Sequence, residues 1–99
     1  MRVRFWIPSA LRPMTGERGH IELETSGGTL HDALEALFAG HPAIRDRVLT
    51  EQGEIREHVN VFVGTNEART LGGLATPLAE GIEISIIPAI SGGAVREQS

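Results

Sequence analysis

Ninety-nine residues, 40% of them hydrophobic and 22% charged, make one small domain with a single modest core and an expected radius of gyration of about 13 Å. A formal net charge of −4 argues against a nucleic-acid partner, and no run approaches the roughly 20 apolar residues of a membrane span. Cysteine is absent and the nine basic residues are all arginine, so the chain has no disulfide, no thiolate metal site and no thiol nucleophile of its own.

The opening residues, MRVRFWIPSA, lack the long apolar core of a signal peptide, and a cytoplasmic protein is expected. Residues 2–7 alternate with period two, which predicts a strand with Val3, Phe5 and Ile7 on one face and Arg2, Arg4 and Trp6 on the other. Pro8 and Pro13 frame a loop, and Thr15-Gly16-Glu17-Arg18-Gly19 reads as a turn. Residues 20–25 alternate again, Ile21 and Leu23 inward and His20, Glu22 and Glu24 outward, completing a hairpin. Ser26-Gly27-Gly28 then breaks the chain. Thr29 is placed as an N-cap, with the Asp32 carboxylate three residues on suited to the helix dipole. Leu30, Ala33, Leu34, Leu37 and Phe38 form one apolar stripe, predicting a helix over 30–39 that Gly40 and Pro42 stop.

Residues 43–58 are polar apart from Ile44, Val48, Leu49 and Ile55, and read as a short helical turn plus loop. Val59, Val61 and Val63 mark a third strand, ended by Gly64-Thr65-Asn66-Glu67. A loop containing Leu71, Gly72-Gly73, Leu74 and Pro77 leads to a last strand through Ile82, Ile84 and Ile86, with Glu83, Ser85 and Ile87 facing the other way and Pro88 ending it. One amphipathic helix packed across one face of a mixed sheet satisfies this order. The fold expected is therefore α+β, the β-grasp (ubiquitin-like) arrangement, over residues 1–90, followed by a flexible tail over 91–99.

The candidates for catalysis are weak. His20, His31, His41 and His58 are scattered, without metal-ligand spacing. No glycine pair has the setting of a phosphate loop, no serine sits in a GxSxG context, and the acidic residues from Glu51 to Glu57 read as a solvated face. The chain reads as a non-enzyme, with no cofactor of its own. Gly92-Gly93 is one of three adjacent glycine pairs, where about one or two arise by chance, so the pair alone says little. Its position says more. It comes after the last strand and the stub Pro88-Ala89-Ile90-Ser91, a tail able to reach about 20 Å beyond the sheet. Residues without a Cβ let such a tail thread a narrow channel in another protein. Parity also sets Trp6, Phe62 and Ile87 opposite the core-facing residues of their strands, and in the β-grasp order these strands are adjacent. Three large apolar residues gathered on a solvent face mark a partner surface, whereas single ones are incidental.

The same residues resemble the MoaD/ThiS superfamily of sulfur carriers, and within it the cysteine-biosynthesis branch called CysO. The similar stretches are Ile7-Pro8-Ser9-Ala10-Leu11-Arg12-Pro13-Met14-Thr15-Gly16, Thr29-Leu30, His58-Val59-Asn60-Val61-Phe62-Val63, Gly72-Gly73-Leu74-Ala75-Thr76 and Ile86-Ile87-Pro88-Ala89-Ile90-Ser91-Gly92-Gly93. What the resemblance implies is a cycle run by partners. An E1-like adenylating enzyme uses ATP to activate the Gly93 carboxylate, with Ser91 and Gly92 threading its channel. A sulfurtransferase or sulfide donor then makes the thiocarboxylate. A PLP-dependent cysteine synthase, or another acceptor, takes the sulfur. A zinc-dependent JAMM-type metalloprotease releases the product. ATP, PLP and zinc are thus expected on the partners, and neither nucleic acid nor membrane is implicated.

Ala94 to Ser99 depart from the mature pattern, because Gly93 is then held in a peptide bond and cannot be adenylated. A removable extension over 94–99, cut at Gly93–Ala94, is the expectation. Two readings stay open beside the carrier: a ubiquitin-like modifier conjugated through Gly93, and a plain binding module using the Trp6, Phe62 and Ile87 face. The acceptor of the sulfur is open too, with cysteine, molybdopterin, thiamine, a tRNA base and a specialised metabolite as the choices.

Overall fold

Alternating side chains build the sheet and one amphipathic stripe closes it. The computed structural model describes residues 1–88. Its five strands are β1 (Arg2–Trp6), β2 (His20–Glu24), β3 (Val59–Val63), β4 (Asn66–Glu67) and β5 (Glu83–Pro88). They lie in the order β2-β1-β5-β3-β4. β1 pairs antiparallel with β2 (Phe5 opposite Ile21) and parallel with β5 (Phe5 opposite Ile84). β5 also pairs antiparallel with β3, setting Val61 opposite Ile86. The last strand in sequence is therefore the middle strand in space. This is the β-grasp arrangement that the element order predicts.

The inner face is the core. Val3, Phe5, Val61, Ile84 and Ile86 on the strands are buried, as are Leu30, Ala33, Leu34, Leu37 and Phe38 on α1 (Leu30–Gly40). The predicted stripe is the buried stripe. The helix begins where the sequence places it: Asp32 N–H donates to Thr29 Oγ1 (3.3 Å) and the Thr29 N–H donates to Asp32 Oδ2 (3.3 Å), a reciprocal capping box. A Cβ at position 27 would collide with the Asp32 carboxylate, so glycine there keeps the cap open. The long connection straps this end down, with Leu30 N–H donating to the Thr76 carbonyl and Leu78 N–H to that of Gly28. At the other end Gly40 stays helical, His41 is the C-cap, and Pro42 starts a 3-10 turn to Ile44. The short helix α2 (Arg45–Val48) comes next, and Ile44, Val48 and Leu49 are buried beneath the polar 43–58 segment.

Two segments differ from the expectation. Residues 8–15 are not a plain loop: Ser9–Thr15 winds as a 3-10 helix that buries Leu11 and Thr15 and ends at Gly16 with φ 68°. Short-range turn bonds and a single anchoring leucine leave no 3.6-residue period to read. The second difference is β4, in which Asn66 and Glu67 pair back on Val63 and Phe62 through a tight turn with Gly64 at φ 64°. Two residues are too few for an alternation signal. The edges are well guarded, since β4 is this short and β2 carries His20, Glu22 and Glu24 outward.

Leu34 is fully buried in the face between helix and sheet. Leu34→Ala is expected to cost about 2–5 kcal/mol in chemical denaturation. A loss under about half a kcal/mol would contradict this packing.

Candidate partner surface at the root of the tail

The outer face of the sheet is turned away from α1, and strand register decides which side chains meet there. Trp6 on β1 and Phe62 on β3 both stand opposite Ser85 on β5, one from each side. Two strand spacings of about 4.8 Å therefore separate the aromatic positions, with a small residue between them. Ile87 lies two residues along β5 on the same face, opposite Asn60. It is 39% exposed, while Trp6 and Phe62 are half-buried. The structure thus brings Trp6, Phe62 and Ile87 together, as parity predicts, and adds Ser85 and Asn60 to the patch. The same period-two reading applied to Asn60 would have found it.

Around this patch, from His20 across from Trp6 and Glu67 across from Phe62 outward, the face is charged and self-neutralising. Arg2 Nε lies 3.3 Å from Glu24 and Arg4 Nε 3.6 Å from Glu22, and His20 reaches Glu83 at 3.8 Å. Beside Phe62, Arg69 pairs with Glu67 at 3.2 Å and donates to Asn60 Oδ1 and to the Arg56 carbonyl. All of these groups are exposed or partly so, and each pair contributes at most about 1 kcal/mol. Their effect is on the shape of the charge: arginines and glutamates alternate across strands, so the charged end of the face presents little net field. The apolar end coincides with the C-terminal ends of β1 and β5, which run parallel. Pro88, the last residue of β5, is opposite Val59 and comes immediately after Ile87. The patch therefore sits at the root of the tail. Ser91, Gly92, Gly93 and the Gly93–Ala94 bond lie outside the described residues.

The rest of the described surface offers no constellation for bond-making. The histidines are dispersed over β2, α1, the end of α1 and the approach to β3. No three His, Asp or Glu side chains gather to hold a metal among the described residues. An open hollow of about 290 Å³ is lined by Glu54, Ile55, Arg69, Gly73 and Leu74. The Arg69 guanidinium there is already committed to Asn60, Glu67 and the Arg56 carbonyl. No helix among the described residues is long and apolar enough to cross a membrane.

Comparison with known proteins agrees with this geometry. The ThiS family matches residues 6–93. The sulfur carrier protein CysO of Mycobacterium tuberculosis is 37% identical over 95 residues, covering 94% of this chain and 100% of the relative. Among solved structures, the complex of BexX and CysO from Amycolatopsis orientalis contains a match with TM-score 0.81 and 30% identity, covering 92% of this chain and 99% of that one. The small archaeal modifier protein 1 of Haloferax volcanii superposes with TM-score 0.80 at 29% identity, covering 94% and 100%.

Ile87 projects from a strand whose neighbours Ile84 and Ile86 already fill the core, so its outward side chain adds little to folding. Ile87→Thr, which keeps the β-branch, is expected to change stability by no more than about 0.5 kcal/mol. If the patch is a partner surface, the same change is expected to weaken binding to a cognate protein of the host, as read by titration calorimetry. Lowered stability with unaltered affinity would show that the face serves this chain's own folding.

Proposed function

This chain belongs to the ThiS family of small sulfur carriers and ubiquitin-like modifiers, and from that premise we propose that it is a sulfur carrier whose working group is the Gly93 carboxyl. The observation that carries the reading is the position of the Trp6, Phe62 and Ile87 patch at the root of the diglycine tail. A partner that covers the patch receives the tail at the same time. The chain supplies a handle and a carboxylate; the partners supply the catalysis.

The chemistry is set by what a carboxylate needs. Its carbon resists nucleophiles until an oxygen carries a leaving group. A carboxylate oxygen of Gly93 attacks the α-phosphorus of ATP and pyrophosphate departs, leaving the acyl adenylate. Sulfur at the sulfide oxidation level then attacks the acyl carbon and AMP departs, leaving a terminal thiocarboxylate. That C–S⁻ group is the nucleophile the cysteine-free chain otherwise lacks. The E1-like enzyme and the sulfur source run these steps in the cytoplasm, where ATP is at hand. A PLP-dependent cysteine synthase is the acceptor we favour, because the carrier CysO is similar along nearly the whole chain. ATP, PLP and zinc belong to the partners in this scheme.

Ala94 keeps the Gly93 carbonyl in an amide, and the family match ends at residue 93, leaving 94–99 outside it. We therefore read Gly93–Ala94 as a processing bond for a JAMM-type metalloprotease. A second reading has its own support: the small archaeal modifier protein 1 is 42% identical over 65 residues, covering 66% of this chain and 70% of that protein. In that case the activated Gly93 is passed to an amine of a target protein. Mass spectrometry of the protein from its host separates the two, as a terminal thiocarboxylate or as Gly93-linked conjugates.

The described fold is complete at Pro88, so a chain ending at Gly93 keeps every element of it. That trimmed chain is expected to support pyrophosphate exchange into ATP with the host's adenylating enzyme, while the chain carrying residues 94–99 stays silent. Gly93→Val in the trimmed chain is expected to abolish exchange while remaining folded, because two γ-methyls crowd the reacting carbonyl. Equal exchange by the trimmed and extended chains would remove the processing step.

A further inference from the structure

Arg12 is held in place without a counter-charge. Its Nε donates to the Ile7 carbonyl (2.9 Å), just past the end of β1. Its guanidinium lies flat over Gly19, where an added Cβ would come within 3.1 Å of Cζ and of one terminal nitrogen. Gly19 in turn accepts the Ile7 N–H at 2.7 Å, so strand end, turn and guanidinium form one knot. The Arg12 backbone is fixed too, its carbonyl accepting from the Glu17 N–H and the Thr15 hydroxyl. Arg2, Arg4, Arg45 and Arg69 each have a carboxylate within 4.0 Å. Arg12, like Arg18, Arg47 and Arg56, has none among the described residues; unlike them it sits just past the end of β1, held by the Ile7 carbonyl and packed over Gly19.

Its location gives that cation a use. Ile7 is next to Trp6 of the apolar patch, and β1 ends at Trp6 opposite Ser85, three residues before β5 ends at Pro88 and at the same end of the sheet. With Nε occupied, the two terminal nitrogens form the remaining face of a planar, half-buried, pre-positioned fork. We propose that this fork receives an acidic side chain of the enzyme that adenylates the tail, pairing with its carboxylate through both terminal nitrogens. The contact would set the rotation of the carrier about the apolar patch and thus the direction in which the tail enters. The inference rests on the carrier reading above.

The test is pyrophosphate exchange by chains ending at Gly93, with carrier and ATP varied separately at about 50 and about 300 mM NaCl. Arg12→Gln is expected to raise the KM for the carrier about tenfold with kcat retained. It is also expected to flatten the dependence of that KM on salt, a change that a merely structural role would not produce. Should Arg12→Gln melt well below the parent, Arg12→Lys decides: it keeps the charge but not the fork, and its KM is expected to lie clearly above the parent's. A KM for Arg12→Gln equal to the parent's, or an Arg12→Lys chain indistinguishable from the parent, overturns the proposal. So does an effect confined to the KM for ATP, which would assign the fork to nucleotide phosphate. A parent chain that is itself inert removes the carrier reading, whereas an active parent matched by Arg12→Gln removes this inference alone.

Discussion

The structure depends on the insertion of β5 between β1 and β3. Until residues 83–88 arrive, β1–β2 and β3–β4 are two separate ribbons, each too small to be stable alone. The pairing of Arg4 with Glu83 joins residues nearly the whole domain apart, so the cost of ordering the intervening chain is met only when the core closes. The helix supports this closure. It buries its stripe against Ile84 and Ile86, and its capped start is tied to the connection that leads into β5. A middle strand that is also last in sequence has a further consequence: the tail is rooted at the centre of the sheet.

The same strand couples the core to the outer apolar patch. Ile84 and Ile86 face the core while Ser85 and Ile87 face outward, and the period of two makes these assignments inseparable. A slip of one residue would bury Ile87 and expose Ile86, destroying core and patch together. The patch therefore needs no scaffold of its own. It is the other side of the pairing that holds the domain together, and its distance from the tail is set by one residue, Pro88.

Electrostatics shape this surface more than they stabilise it. Exposed pairs such as Arg2–Glu24 and Arg4–Glu22 contribute little to folding, yet they cancel charge on the part of the face remote from the tail. Lateral pairing also keeps β2 from presenting a bare edge. Against this background the contrast lies at the tail end, where two aromatic residues and an isoleucine are exposed or half-exposed, and Arg12 stands fixed over Gly19 just past the end of β1.

Much of this was legible in the residues. The alternation of Val3-Phe5-Ile7 and of Ile82-Ile84-Ile86, the stripe from Leu30 to Phe38 and the pair Thr29/Asp32 are local signals, set by strand period, helix period and capping chemistry. They determine the elements, the α+β class and which side of each strand is apolar. The motifs ending in Gly92-Gly93 carry the family, whose match runs over residues 6–93. Non-local facts were not available from periodicity: that Ser85 lies between Trp6 and Phe62, that Asn66 and Glu67 return as a fifth strand, or that residues 9–15 coil to bring Arg12 onto Gly19. Each depends on partners distant in sequence or on turns too short to have a period. The sequence by itself determined the elements and their apolar faces; only tertiary structure decided which faces meet, because register and close approach are properties of pairs of segments.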